Sequence, residues 1–346
     1  MTDPPKSEGE RVKLKAIAAG ILALTAIGAS AQNINGAGAT FPYPIYSKWF
    51  TEYNQQHPSV KINYQSIGSG GGIRQVSEGT VDFGATDGPM NDDQIKSAKV
   101  KTMHIPTVLG AVVPVYNIPG VNKDLNFSGD VIADIYLGKI TMWNDPRIAK
   151  DNPGVNLPGN AILPVYRSDG SGTTYIFTDY LSKVSSDWAS KVGKNTSVKW
   201  PTGIGQKGNE GIAGMVRQSP NSFGYVELIY AVQNKMSYGS VKNKDGKFVR
   251  ASTDGATAAA AASAKVMPAD FRISITNATG ATSYPISSFT WLLIPTHSTD
   301  PAKGKALVDF LGWMLDHGQS EASTLSYAPL PKPVQDMVRK SITQLK

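Results

Sequence analysis

The sequence predicts an α/β fold, on three observations. Short β-rich runs alternate with segments of helical periodicity, as strands and helices do when they share a sheet. Several of those runs are unbroken Val, Ile and Phe stretches, the pattern of strands covered on both faces. At three places a β-rich run passes through a Gly-rich loop carrying a hydroxyl residue directly into a helix. The 346 residues suffice for two domains of ordinary size, and a composition of 40% hydrophobic and 18% charged residues is that of a globular chain. A chain this long buries substantial cores without covalent staples.

From the N-terminus, residues 1–15 are polar and close on Arg11, Lys13 and Lys15. Residues 16–29 are small and apolar, and Ala29-Ser30-Ala31 follows. That order predicts a cleavable secretory signal ending at Ala31, with a mature start at Gln32. The apolar run falls short of the roughly 20 residues needed to span a bilayer. Strands are expected at Val60–Gln65, Val81–Ala85, Val108–Tyr116, Ala161–Tyr166, Phe223–Leu228 and Phe289–Ile294. Helices follow from apolar stripes. These are Ile45, Tyr46, Trp49, Phe50 and Tyr53; Ile176, Phe177, Tyr180, Leu181 and Val184; Ile212, Met215 and Val216; and Leu307, Phe310, Leu311, Met314 and Leu315. A last helix is expected over Val334–Ile342. The Ala-rich residues 256–264 read as helix or surface connection. The Pro-punctuated apolar run His104–Gly120 fits either an ordinary central strand or one crossing between two lobes.

The three loops are Gly36-Ala37-Gly38-Ala39-Thr40-Phe41-Pro42, Gly68-Ser69-Gly70-Gly71-Gly72 and Arg167-Ser168-Asp169-Gly170-Ser171-Gly172-Thr173. Glycine lets backbone approach a ligand closely. The first N–H groups of the following helix lack internal partners, and its dipole favours negative charge there. Such a loop cradles an anion, and hydroxyls add neutral donors. Any one of them also reads as a plain turn or helix cap; three together favour a shared anion site. Arg167 could fork onto two oxyanion oxygens, steadied by Asp169, or the two could form a surface ion pair. Asp87 closes a buried-looking strand, as a ligand group or as a turn or capping residue.

Other chemistries lack their residues. The chain has no cysteine, which excludes thiolate nucleophiles, Cys-ligated zinc and disulfides. His57, His104, His297 and His317 lie far apart, at no metal-ligand spacing. No Walker loop occurs, the Gly68–Gly72 run does not meet G-x-G-x-x-G, and neither Ser69 nor Ser171 sits in G-x-S-x-G, since Ile67 and Asp169 stand where its first glycine would be. No cofactor and no metal are expected, and the chain is not expected to be an enzyme. The net charge of +7 is dispersed after residue 15, which reads as a solvated surface rather than a nucleic-acid interface. The rival readings are a secreted phosphatase-like enzyme using Ser171 or Ser69, and a receptor for another oxyanion.

The blocks GAGATFPYPIYSKW, IGSGGG, TVDFGATDGPM, DIYLGKITMWND, RSDGSGTTYIFTDYL, VKWPTGIGQKGNEGIAG and FGYVEL resemble, in the same order, those of the periplasmic phosphate-binding proteins of Pst-type ABC importers. They cover nearly the whole mature chain. The resemblance implies a type II periplasmic binding fold: two α/β lobes joined by two hinge segments, with a central cleft. Residues 1–31 are then the signal peptide, 32–108 and 285–346 lobe I, and 109–284 lobe II. It implies phosphate ligation by Thr40, Phe41 (through its backbone N–H), Ser69, Asp87, Arg167, Ser171, Gly172 and Thr173, with Asp169 supporting Arg167. It further implies a periplasmic monomer that binds inorganic phosphate and hands it to an inner-membrane permease and its ATPase. Many members carry a second serine after Ser69, where this chain has Gly70. Asp87 would distinguish phosphate, which keeps a proton to donate at neutral pH, from sulfate, which has none.

Overall fold

The computed structural model describes residues 32–345 other than 262, together with Thr2. The rest of the expected signal peptide, with its cleavage site at Ala31, lies outside the described residues. From Gln32 the chain forms β1 (Gln32–Gly38), α1 (Tyr43–Gln56), β2 (Val60–Ser66), α2 (Ser69–Glu78) and β3 (Phe83–Thr86), and then one long strand, β4 (Thr102–Asn117). Further on come β5 (Leu163–Arg167), α3 (Gly172–Val184), β6 (Ile204–Gln206), α4 (Gly208–Gln218) and β7 (Ser222–Glu227). The chain returns through β8 (Ser287–Pro295) and ends in helices at Pro301–Trp313 and Lys332–Ile342.

The strands join in the order β2-β1-β3-β8-β4-β7-β5-β6, with Ser237–Tyr238 also paired to β4. β1 runs parallel to β2 and β3, and β5 runs parallel to β6 and β7. Between these two groups β8, β4 and β7 pair antiparallel. β4 pairs with β8 over Thr102–Ala111 and with β7 over Val112–Asn117. It therefore crosses from one parallel group to the other, the second of the two possibilities the sequence left open.

β4 is longer than the predicted Val108–Tyr116 because its prolines do not end it. Pro106 sits where the register to β8 shifts between Thr290 and Trp291, and a bulge is one of the few places a strand accepts proline. Other limits moved for local reasons. Asp82 leaves the predicted Val81–Ala85 strand to bond Asn35 and Lys303. Leu228 leaves the predicted Phe223–Leu228 strand and opens a helix, Leu228–Gln233, because the Glu227 side chain accepts the Ile229 N–H and caps it. The Ala-rich stretch is helical over Thr253–Ala260, with Ala262 outside the described residues.

Each parallel group has an aromatic core. In α1, Tyr46 packs on Phe50, Phe50 on Phe83, and Tyr53 on Phe310. On the other side Phe177 stacks on Tyr225 with centroids 4.2 Å apart, beside Tyr136 and Trp200. Large rings at 4–6 Å supply much of the burial that holds each group rigid.

Candidate ligand-binding site

All nine residues singled out in the sequence come together, and the described structure places none of them elsewhere. Four helix N-termini meet there: α1, α2, α3 and α4, beginning at Tyr43, Ser69, Gly172 and Gly208. Gly68 precedes α2 with φ 89° and approaches Asp169 so closely that a Cβ would lie 2.4 Å from Oδ2. The Gly70 N–H donates to the Gly170 carbonyl at 2.9 Å, locking the second Gly-rich loop onto the third. At Gly172 a Cβ would lie 2.4 Å from Ser69 Oγ and 2.5 Å from Asp87 Oδ2. Any side chain there would fill the space these groups face. Thr40, Phe41, Ser69, Asp87, Arg167, Ser171, Gly172 and Thr173 are all buried.

Arg167 and Asp169 are not a surface pair. The Arg167 side chain is 1% exposed and meets Asp169 through two parallel bonds, Nε to Oδ1 at 2.9 Å and Nη2 to Oδ2 at 2.7 Å. Gly208 N–H adds a third donor to Asp169 Oδ1 at 3.1 Å. Burial pushes the Asp169 carboxyl up, but the bonds and charge of Arg167 outweigh it and hold the group below its ordinary range. Arg167 Nη1 remains, 3.3 Å from Thr173 Oγ1, on the side of the α3 N-terminus. Ser171 caps α3, its Oγ accepting the Thr174 N–H at 3.1 Å, which leaves its proton free to donate. The cap and ligand readings of that serine are thus compatible.

Asp87 faces the opposite balance. It caps no helix: β3 leads straight into it, and its carboxylate turns inward. Oδ1 accepts from Thr290 Oγ1 at 2.8 Å, whereas Oδ2 has only Ser69 Oγ at a long 3.4 Å. Burial pushes this carboxyl up to about 7, against the opposing pull of Thr290, the charge of Arg167 and Ser69. Oδ2 is consequently a poorly satisfied acceptor at the edge of a ring of donors.

Thr40 completes the ring. Its Oγ1 accepts from Asn209 Nδ2 at 2.7 Å, and its carbonyl from Tyr230 OH at 2.6 Å. Phe41 is held next to it by Tyr327 OH, which donates to the Phe41 carbonyl at 2.6 Å. The arrangement gathers the Thr40, Ser69, Ser171 and Thr173 hydroxyls and the Arg167 guanidinium beside four helix N-termini, with the poorly satisfied Asp87 Oδ2 among them.

Comparison with known proteins agrees with this geometry. A family model described as a PBP superfamily domain matches residues 24–317. The chain is 47% identical over 326 residues to the phosphate-binding protein PstS of Pasteurella multocida, covering 94% of this chain and 93% of that protein. The chain belongs to the PstS family. The PstS protein of Xylella fastidiosa strain Temecula1 is 48% identical over 299 residues, or 86% of this chain and 81% of that protein. Among solved structures, a putative phosphate ABC transporter substrate-binding protein with bound phosphate from Clostridium perfringens superposes with a TM-score of 0.62 at 19% identity, covering 87% of this chain and all of that one. The chain accordingly has the two-lobed type II binding fold.

Four residues of the site escaped the sequence analysis. Asn209, Thr290, Tyr225 and Glu227 are all buried. Tyr225 OH accepts the Arg167 N–H at 3.2 Å and pairs with Thr174 Oγ1 at 2.6 Å, fixing the strand end from which Arg167 projects. Asn209 carried a usable signal. Gln206-Lys207-Gly208-Asn209 is a fourth glycine-bearing strand-to-helix turn, of the same design as the three that were recognised. Thr290 had none, because its place beside Asp87 depends on the pairing of β8 with β3 and β4.

Proposed function

We propose that this chain binds inorganic phosphate in the periplasm and delivers it to an ABC importer. The observation that carries the proposal is Asp87, a buried acceptor left without a cation of its own inside a ring of donors. A phosphate monoanion or dianion fits that asymmetry, since its unprotonated oxygens take the donors and its P–OH donates to Asp87 Oδ2. Thr290 occupies Oδ1, so a single carboxylate oxygen faces the ion. Sulfate offers no proton at neutral pH, and an acceptor facing an acceptor in a dry site is costly.

The ligand groups are Thr40, the Phe41 backbone N–H, Ser69, Asp87, Arg167, Ser171, Gly172 and Thr173, with Asp169 orienting Arg167. Residues 32–108 and 285–346 form lobe I and residues 109–284 lobe II. Residues 1–31 are removed on export, leaving a monomer that an inner-membrane permease and its ATPase engage when the lobes are closed. The crossing of β4, which exchanges partners between Ala111 and Val112, supports a division near Leu109.

Calorimetric titration of the mature chain with phosphate and with sulfate at pH 8 tests the function. Saturable phosphate binding with sulfate weaker by at least about 1,000-fold is expected from the rejection of a ligand that leaves a buried acceptor unpaired. Equal binding of both anions, or of neither, would refute it.

A further inference from the structure

We infer that Asn209 sets the donor polarity of the site: it occupies the acceptor positions of the Thr40 and Thr173 hydroxyls and so compels both to donate to the bound ion. The inference rests on the phosphate-binding proposal and adds a positioning residue to it. Asn209 is fully buried at the start of α4. Its Oδ1 accepts the Glu227 backbone N–H at 2.9 Å, which fixes which end of the amide is oxygen. Nδ2 therefore faces the other way, donating to Thr40 Oγ1 at 2.7 Å and to Thr173 Oγ1 at 3.2 Å. The Asn209 backbone N–H reaches Thr40 Oγ1 as well, at 3.3 Å.

A hydroxyl has two lone pairs and one proton. On Thr40 both lone pairs face Asn209. On Thr173 one faces Asn209 and the other Arg167 Nη1. An amide NH2 and a guanidinium accept nothing, so neither threonine can turn its proton toward them. Both protons point away, into the site. An unconstrained hydroxyl adapts to donors and acceptors alike; these two can only donate. A ligand P–OH placed against them finds no acceptor for its own proton, so that proton is directed to Asp87. Asn209 thus contributes to orienting the ion without touching it.

The test is a double-mutant cycle on phosphate affinity, with calorimetry on wild type, Asn209→Ala, Thr40→Val with Thr173→Val, and the triple variant. Asn209→Ala alone is expected to weaken binding at least about tenfold, since both hydroxyls regain rotational freedom. In the double-valine background the same change is expected to cost less than about threefold, because the groups it acts through are gone. An equal cost in both backgrounds overturns the inference and leaves the phosphate proposal standing, whereas a wild-type chain that takes up no phosphate removes both. Should Asn209→Ala fail to fold, Asn209→Asp keeps the shape and replaces the donating Nδ2 with an acceptor. It is expected to lose at least about 100-fold in phosphate affinity at pH 8 while circular dichroism shows the chain still folded, as two charge-directed hydrogen bonds are turned inward. Near-wild-type affinity in that variant also overturns the inference.

Discussion

Asp87 and Asp179 are each 1% exposed, yet their carboxyls are driven in opposite directions, Asp87 up to about 7 and Asp179 down to about 2. Burial penalises the charged form of both. What differs is the company. Asp179 on α3 accepts from Lys194 at 2.6 Å, Ser274 at 2.6 Å and Thr276 at 2.5 Å, with Lys183 at 3.0 Å. These overcome its desolvation and tie α3 to the segment around residues 274–276. Asp87 has two hydroxyls and a distant share of Arg167, whose fork is spent on Asp169. Asp179 is neutralised inside the fold, whereas Asp87 keeps an oxygen that only a distant hydroxyl approaches, as the proposed phosphate site requires.

The comparison can be broken most directly at Asp87. Asp87→Asn supplies a donor where the site has an acceptor, so the preference for phosphate over sulfate is expected to narrow by at least about 100-fold. Parallel titrations read the ratio, and an unchanged ratio would end the assignment. Arg167→Ala removes a guanidinium and strands Asp169. Phosphate affinity is expected to fall by about 2 kcal/mol, roughly thirtyfold, measured by calorimetry. Asp179→Ala is expected to cost stability instead, about 1.5 kcal/mol in a denaturant titration, because its two lysines are partly exposed and retreat to water. Its phosphate-to-sulfate ratio should match wild type; a shift in that ratio would mean that Asp179 and the site at Asp87 are not separate.

Acidity sharpens the contrast at smaller amplitude. Sulfate can be accepted only if Asp87 brings the proton. Its affinity is then expected to be level below pH of about 7 and to fall up to about tenfold per unit above it. Phosphate carries its own proton and should show a shallower slope, as competition titrations between pH 5 and 9 would reveal. The same group affects the unliganded fold. Because Asp87 binds its proton more tightly when folded, its contribution to stability is present below the ordinary carboxylate range and is lost as pH rises toward 7. Asp87→Asn should therefore raise the unfolding midpoint of the unliganded chain at pH 8 and leave it nearly unchanged at pH 4.

The three loops, Arg167 and Asp87 were legible in the sequence because each is local. Glycine spacing, a hydroxyl and the onset of a helical stripe lie within one short segment. The helices of α1 and α3 were legible for the same reason, being marked by aromatic and aliphatic stripes that bury one face. What was not legible depends on pairings distant in the chain. Thr290 reaches Asp87 across 203 positions and Asn209 reaches Thr40 across 169. Pro106 hid the first part of β4, since the bulge that admits it exists only once β8 is alongside.

That strand has a mechanical consequence. A joint made of loop can fold and unfold like a strap, with little resistance. β4 is laced to neighbours along its whole length, on one flank before Ala111 and on another after Val112. Movement between the two sides must therefore be a torsion of continuous ribbon, shared over several peptide planes, with a restoring force that grows with angle. Turning such a ribbon strains its ladder on both flanks at once, which favours the alignment in which the loops meet over Asp87.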